Sequence, residues 1–116
     1  MLKEVAQRLT SRVRCYDRVG RYGGEEFLIV LPGCDLVSAF TRADHLRDLI
    51  SSKPINAGSV STSVTLSMGL AVADSSVKPD ALLHQADLGL YKAKQTGRNR
   101  VEQVDEIEKS KYARPL

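Results

Sequence analysis

Leu2, Val5, Ala6, Leu9 and Val13 recur at the three- and four-residue spacing of one helix face, which predicts an amphipathic helix over residues 2–14. The period then changes. Asp17 to Tyr22 and Phe27 to Leu31 read as short strands, the second an unbroken apolar run, with two glycines and two glutamates between them. The Gly-Gly pair predicts a tight hairpin turn, because glycine reaches positive φ without steric cost. Pro32-Gly33 stops the second strand, and Asp35 is placed to cap a second helix with a buried stripe of Leu36, Ala39, Phe40, Ala43, Leu46 and Ile50. Residues 55–63, rich in Ser, Asn and Gly, predict a loop or a hairpin tip. Val64, Leu66, Met68, Leu70 and Val72 alternate with smaller or polar residues, as in a strand with one buried face. Pro79-Asp80 opens a third helix carrying Leu82, Leu83, Ala86, Leu90 and Ala93 inward, Gly97 is placed to end it in a left-handed cap, and residues 100–103 add a short strand. From Asp105 the chain is charged and aperiodic, so a folded unit over 1–104 followed by a tail over 105–116 is expected. The order of elements is an α+β pattern with an antiparallel hairpin in its sheet.

At 116 residues the chain has room for a single core, and 42% hydrophobic residues make it globular. A net charge of +3 suits a phosphate-bearing small ligand, but the dense Lys/Arg tracts of a nucleic-acid binder are missing, so no nucleic-acid partner is expected. No apolar run approaches a membrane span, and Met1-Leu2-Lys3-Glu4 lacks a signal-peptide core, so no membrane partner is expected for this segment. Cys15 and Cys34, without a CxxC, read as reduced structural thiols of a cytoplasmic chain. His45 and His84 fall inside helical patterns and read as surface or boundary residues.

Chemistry concentrates at Gly23-Gly24-Glu25-Glu26. A turn without side chains lets a phosphate approach the backbone N–H groups, and carboxylates beside it can hold a divalent cation that bridges to that phosphate. On spacing alone, an ordinary hairpin tip with solvated glutamates is slightly the better reading. Glu25 and Glu26 on one regular strand would face opposite sides, so sharing a metal needs the turn to twist between them. Lys94 and Arg98 stand four apart near a helix C-terminus, where complementing the helix dipole is the simpler role. Arg14-Cys15-Tyr16-Asp17 spells RxxD, which by itself is a common helix-end ion pair.

The segment from Gly23 to Phe27 resembles the signature of the GGDEF family, the diguanylate cyclases, in its GGEEF spelling. Val64 to Ala71 (VTLSMGLA) resembles a core strand of that family, and Ala86 to Arg100 (ADLGLYKAKQTGRNR) its last helix and turn, a long and specific match. The resemblance implies a palm-like sheet and the condensation of two GTP molecules into cyclic di-GMP with release of pyrophosphate. It also implies Mg²⁺ or Mn²⁺ as cofactor and a homodimer for catalysis. By the same resemblance, Glu25 serves metal binding and catalysis, Glu26 is a second metal-linked acid, and Gly23 and Gly24 admit the triphosphate. Lys94 and Arg98 match positions that contact the terminal phosphates. Arg14 and Asp17 match an inhibitory site for the product, where arginine makes bidentate contacts to guanine or phosphate and aspartate accepts from guanine N–H groups. Gly89 stands where the family usually has alanine, a cost of about 1 kcal/mol in helix propensity that bears on stability.

The resemblance covers about the last two thirds of the domain. Family members carry, ahead of the first helix seen here, a central strand and a helix with a further metal-binding aspartate and the guanine-recognising residues. Without that strand, Phe27–Leu31 and Val64–Val72 lack their shared neighbour. They are expected to pair directly, to borrow a strand from another copy, or to belong to a longer protein. Two functions stay open: the catalytic portion of a cyclase, active when the first half is supplied, or an inactive truncated module that binds cyclic di-GMP or pairs with partner domains.

Overall fold

The computed structural model of the chain describes residues 2–15, 17–24, 26–73, 76–105 and 107–112. In order these form α1 (Leu2–Ser11), β1 (Arg18–Arg21), β2 (Phe27–Val30), α2 (Leu36–Ser51), β3 (Ile55–Ala57), β4 (Val60–Thr62), β5 (Ser67–Gly69), α3 (Pro79–Gln95), β6 (Arg100–Glu102) and α4 (Lys109–Tyr112).

Helix α1 buries Val5 and Leu9 but ends three residues before the predicted limit. The Thr10 and Ser11 hydroxyls donate to the carbonyls of Ala6 and Arg8 at 2.8 and 2.7 Å, and Arg12 N bonds to Leu9 O at 3.2 Å, so the last turn tightens and stops. Asp35 caps α2 as expected, its Oδ1 accepting from Ser38 N at 2.8 Å. Ala39, Ala43, Leu46 and Ile50 form the buried line of α2, while Leu36 and Phe40 are exposed at 42% and 43%. Phe40 lies about a quarter turn round from that line and Leu36 sits at its open end, so the predicted stripe was too wide.

The strands form three separate two-stranded sheets. β1 and β2 pair antiparallel, Arg18 opposite Val30 and Arg21 opposite Phe27. β3 and β4 make a second hairpin within the Ser/Asn/Gly-rich stretch, with Gly58 at φ 66° in its turn. β5 and β6 pair in parallel, an arrangement that needs a crossover, which α3 supplies. The predicted strand over 64–72 has a ladder only at Ser67–Gly69, because β6 offers three partners. β2 and β5 lie in different sheets, so the direct pairing held open as one expectation does not occur, and residues 27–29 and 67–69 are only half-buried.

The main core gathers Val5, Leu9, Leu46, Ile50 and Ile55, with Val19, Phe27, Ile29, Val64 and Leu66 packed around it. A second cluster joins Leu88, Val104 and Tyr112. Its presence changes two expectations. Leu88, rather than Leu82, Leu83 or Leu90, is the fully buried leucine of α3, and residues 107–112 form a turn and α4 instead of trailing away. Lys92 Nζ ties this end down, 2.8 Å from Glu108 Oε2 and 5.7 Å above the Tyr112 ring.

Helix α3 rides almost directly on the β5–β6 backbone. A Cβ on Gly69 would lie 1.9 Å from Ala86 O, and one on Gly89 2.7 Å from Glu102 O. Gly89 is therefore a residue the packing requires, beyond its propensity cost. The helix ends as predicted, with Gly97 at φ 135° and Arg98 N bonded to Ala93 O at 2.8 Å. Gly69→Ala should lower the free energy of urea unfolding by at least about 2 kcal/mol, since backbone must move to admit the methyl. Gly20→Ala, whose added Cβ meets nothing within 4 Å, should change it by less than about 1 kcal/mol. Equal effects of the two substitutions would refute this account of the α3 contact.

Candidate functional site

The turn between β1 and β2 closes through Tyr22 N to Glu26 O at 2.9 Å and Gly23 N to Glu26 O at 3.4 Å. The chain thus reverses between Tyr22 and Glu26, so the hairpin expected at the Gly-Gly pair is formed with both glycines inside a longer turn. Neither Gly23 nor Gly24 is left-handed; the positive-φ glycines are Gly33, Gly58 and Gly97. What the pair contributes is space. A Cβ on Gly24 would meet nothing within 4 Å, and one on Gly23 would meet only Glu26 Cβ at 4.0 Å, so the backbone at the tip is open to an approaching ligand. Arg21 donates to Gly24 O and lies 5.9 Å from the Phe27 ring centre, which sets a cation beside the turn. Glu26 is half-buried, and Glu25 lies outside the described residues. Among the described residues no three His, Cys, Asp or Glu side chains come together to hold a metal.

At the C-terminal end of α3, Lys94 is half-buried and Arg98 exposed. Among the described residues no hydrogen bond or ion pair links either to the turn. Arg98 and Asn99 both have positive φ, 62° and 46°. Their neighbours Lys92 and Arg100 are instead engaged with acids, each 3.7 Å from a Glu102 oxygen. The bond from Glu108, aided by the charge of Glu102, pushes the Lys92 ammonium pKa up against its burial.

The RxxD residues do come together, but not as an open pair. The Asp17 residue is 4% exposed. Its Oδ2 accepts from Arg42 Nη2 at 2.6 Å and from Arg14 N at 2.7 Å, and its Oδ1 lies 3.4 Å from Arg14 Nη2. The Arg42 bond, with further help from the Arg14 backbone and side chain, outweighs burial and holds the Asp17 carboxyl well below the usual carboxylate range. Arg14 reaches on to Pro32 O at 3.0 Å and Cys34 Sγ at 3.5 Å, binding the loop after α1 to the end of the hairpin. Asp17 thus presents its carboxylate inward, while the partly exposed Arg14 guanidinium is the face a ligand can reach. Arg42 was not singled out in the sequence; a cation flanking the buried line of α2 is the signal that marks it. Beside it an open groove of about 370 Å³ is lined by Arg12, Arg42, His45 and Asp48, among others.

The family model for "Diguanylate cyclase, GGDEF domain" matches residues 1–100. The chain is 42% identical over 104 residues to the response regulator PleD of Caulobacter vibrioides, covering 87% of this chain and 23% of that protein. It is 34% identical over 102 residues to the diguanylate cyclase DgcP of Pseudomonas aeruginosa, covering 88% of this chain and 15% of that one. The chain therefore spans less than a quarter of the length of these curated relatives. Among solved structures it resembles the GGDEF domain of YfiN from Pseudomonas aeruginosa, with a TM-score of 0.80, 30% identity, and coverage of 90% of this chain and 67% of that one. It also resembles the coiled coil and GGDEF domain of DgcB from Caulobacter crescentus in complex with c-di-GMP, with a TM-score of 0.79, 26% identity, and coverage of 87% and 55%. Since the α+β elements of a palm-like domain and the motif-bearing residues fall within this match, the chain belongs to the GGDEF family of diguanylate cyclases.

Proposed function

We propose that this chain supplies the catalytic turn and the C-terminal phosphate-contacting helix of a diguanylate cyclase domain, and that it carries a product-binding site at Arg14. The observation that carries the reading is the family match over residues 1–100 together with the open glycine backbone at Gly23-Gly24. In the reaction each GTP offers its 3′-oxygen to the α-phosphorus of the other. Two P–O bonds form, two break, and two pyrophosphates leave with the electron pairs of the broken bonds. Gly23 and Gly24 admit the triphosphate to the backbone, and Lys94 and Arg98 offset charge on its terminal phosphates. Arg21, beside Gly24, adds a further cation to the turn. Two substrates joined head to tail call for two opposed copies of the domain, hence a homodimer, and GTP as substrate places the reaction in the cytoplasm.

The carboxylates of Glu25 and Glu26 have the hard-oxygen chemistry that Mg²⁺ or Mn²⁺ requires. Glu25 lies outside the described residues, and among the described residues no three acidic, histidine or cysteine side chains come together around Glu26. No step is assigned to such a cation. The likeness to the DgcB domain in complex with c-di-GMP favours a second reading, in which the 116 residues alone bind cyclic di-GMP without turnover.

The 116-residue chain incubated with GTP and Mg²⁺ should yield little or no cyclic di-GMP on chromatography. Steady turnover, lost on Glu25→Ala, would show instead that the chain has a complete site. Product binding is tested separately. Losing the charge-assisted bonds of Arg14, worth roughly 1.5–3 kcal/mol each, should weaken cyclic di-GMP binding at least about tenfold in Arg14→Ala. Titration calorimetry giving equal affinities for wild type and Arg14→Ala, or no binding by a folded wild type, would reduce the RxxD to a structural ion pair.

A further inference from the structure

Four cations stand between positions 92 and 100 at the end of α3 and the turn into β6: Lys92, Lys94, Arg98 and Arg100. Lys92 and Arg100 are each paired with Glu102, and Lys92 with Glu108 as well. Lys94 and Arg98 have no carboxylate partner among the described residues, so two positive charges four positions apart are left for an anion. Where Arg98 sits is decided by unusual backbone. Gly97, Arg98 and Asn99 have φ values of 135°, 62° and 46°, three consecutive residues on the left-handed side. Glycine adopts that region freely and asparagine tolerates it, but arginine is disfavoured there, and such a conformation persists only where surrounding contacts enforce it.

One of those contacts comes from far away in sequence. Arg47 on α2 donates from Nη1 to Asn99 Oδ1 at 2.8 Å, across 52 residues. Its Nε donates to Asp44 Oδ1 at 2.8 Å, and its side chain is only 18% exposed, so the guanidinium is held in place before it meets Asn99. We infer that Arg47 is a positioning residue: through Asn99 it fixes the left-handed turn that sets Arg98 beside Lys94 for a linear polyphosphate. The inference rests on the proposed phosphate role of Lys94 and Arg98. Arg47 itself touches no phosphate in this arrangement; its guanidinium is spent on Asp44 and Asn99.

The test is a ¹⁵N–¹H NMR titration of the whole chain with inorganic tripolyphosphate, for wild type, Arg47→Ala, Asn99→Gly and the double variant. Asn99→Gly removes the acceptor without changing charge and keeps the left-handed conformation accessible, so it separates positioning from loss of a cation. Wild type should show saturable shifts at Lys94 and Arg98. Both single variants should weaken binding by about tenfold, and the double variant should be no weaker than either. Without ligand, both should also show altered Arg98 and Asn99 backbone shifts and faster amide exchange there. Unchanged turn signals or unchanged affinity in the single variants would overturn the positioning role. Loosened turn signals in the variants, with a wild-type chain blind to tripolyphosphate, would instead overturn the phosphate reading and leave Arg47 as a structural tie.

Discussion

Asp17 is a carboxylate folded out of water, and a charge in that position has to be neutralised by the protein itself. Arg42 and Arg14 both do so, at 2.6 Å to one oxygen and 3.4 Å to the other. The three residues come from the middle of α2, the loop after α1 and the entry to β1. Arg14 extends the same network to Pro32 beyond β2, so both ends of the β1–β2 hairpin are tied to the helical layer. The base of the hairpin is thereby fixed while its tip, at Gly23 and Gly24, stays open. The backbone at the tip is therefore exposed, but its position is not free. Two arginines share the one carboxylate, so its charge is compensated from both α2 and the loop after α1.

The other end of the molecule follows a different constraint, closeness of backbones. Gly69 and Gly89 let α3 lie on the β5–β6 pair with no side chain between them. Tyr112 and Leu88 then close the far side of the helix, and Lys92 joins that closure to Glu102 and Glu108. The C-terminal end of α3 is thus held from both sides, with Lys94 and Arg98 left at its surface. Between this unit and the hairpin, β2 and β5 remain in separate sheets with half-buried faces.

Much of this was legible in the residues, because the signals were local. Asp35 as a cap, Gly97 as a stop and Pro79 as a start each act within one helical turn, and each is found where the chemistry predicts. The glycine-rich turn was legible as an open backbone but not in its shape, since Gly-Gly is compatible with several loop lengths and the bond from Tyr22 N to Glu26 O selects the longer one. Helix stripes were read too widely at Leu36 and Phe40, because periodicity gives the face but not how much of it a neighbour covers. The fold-back of Tyr112 escaped notice, one aromatic in a charged stretch carrying no period. Arg42 and Arg47 escaped for the same reason: their partners Asp17 and Asn99 are distant in sequence, and no spacing rule connects them. Glu25 was read from the motif alone and lies outside the described residues.

The most direct test of the central tie is equilibrium urea unfolding of wild type and Asp17→Asn as a function of pH. The Asp17 pKa is lowered in the folded chain from an ordinary value of 3.8, so its ionised form favours folding. That contribution is fully present above the ordinary value and is lost as pH falls toward the lowered folded one; other carboxylates cancel in the comparison. Wild type should be the more stable protein by a constant margin from about pH 7 to about pH 5, and the margin should shrink steadily below about pH 4. A margin that is absent at neutral pH, or that persists unchanged in acid, would contradict the view that a doubly paired Asp17 carboxylate anchors the hairpin.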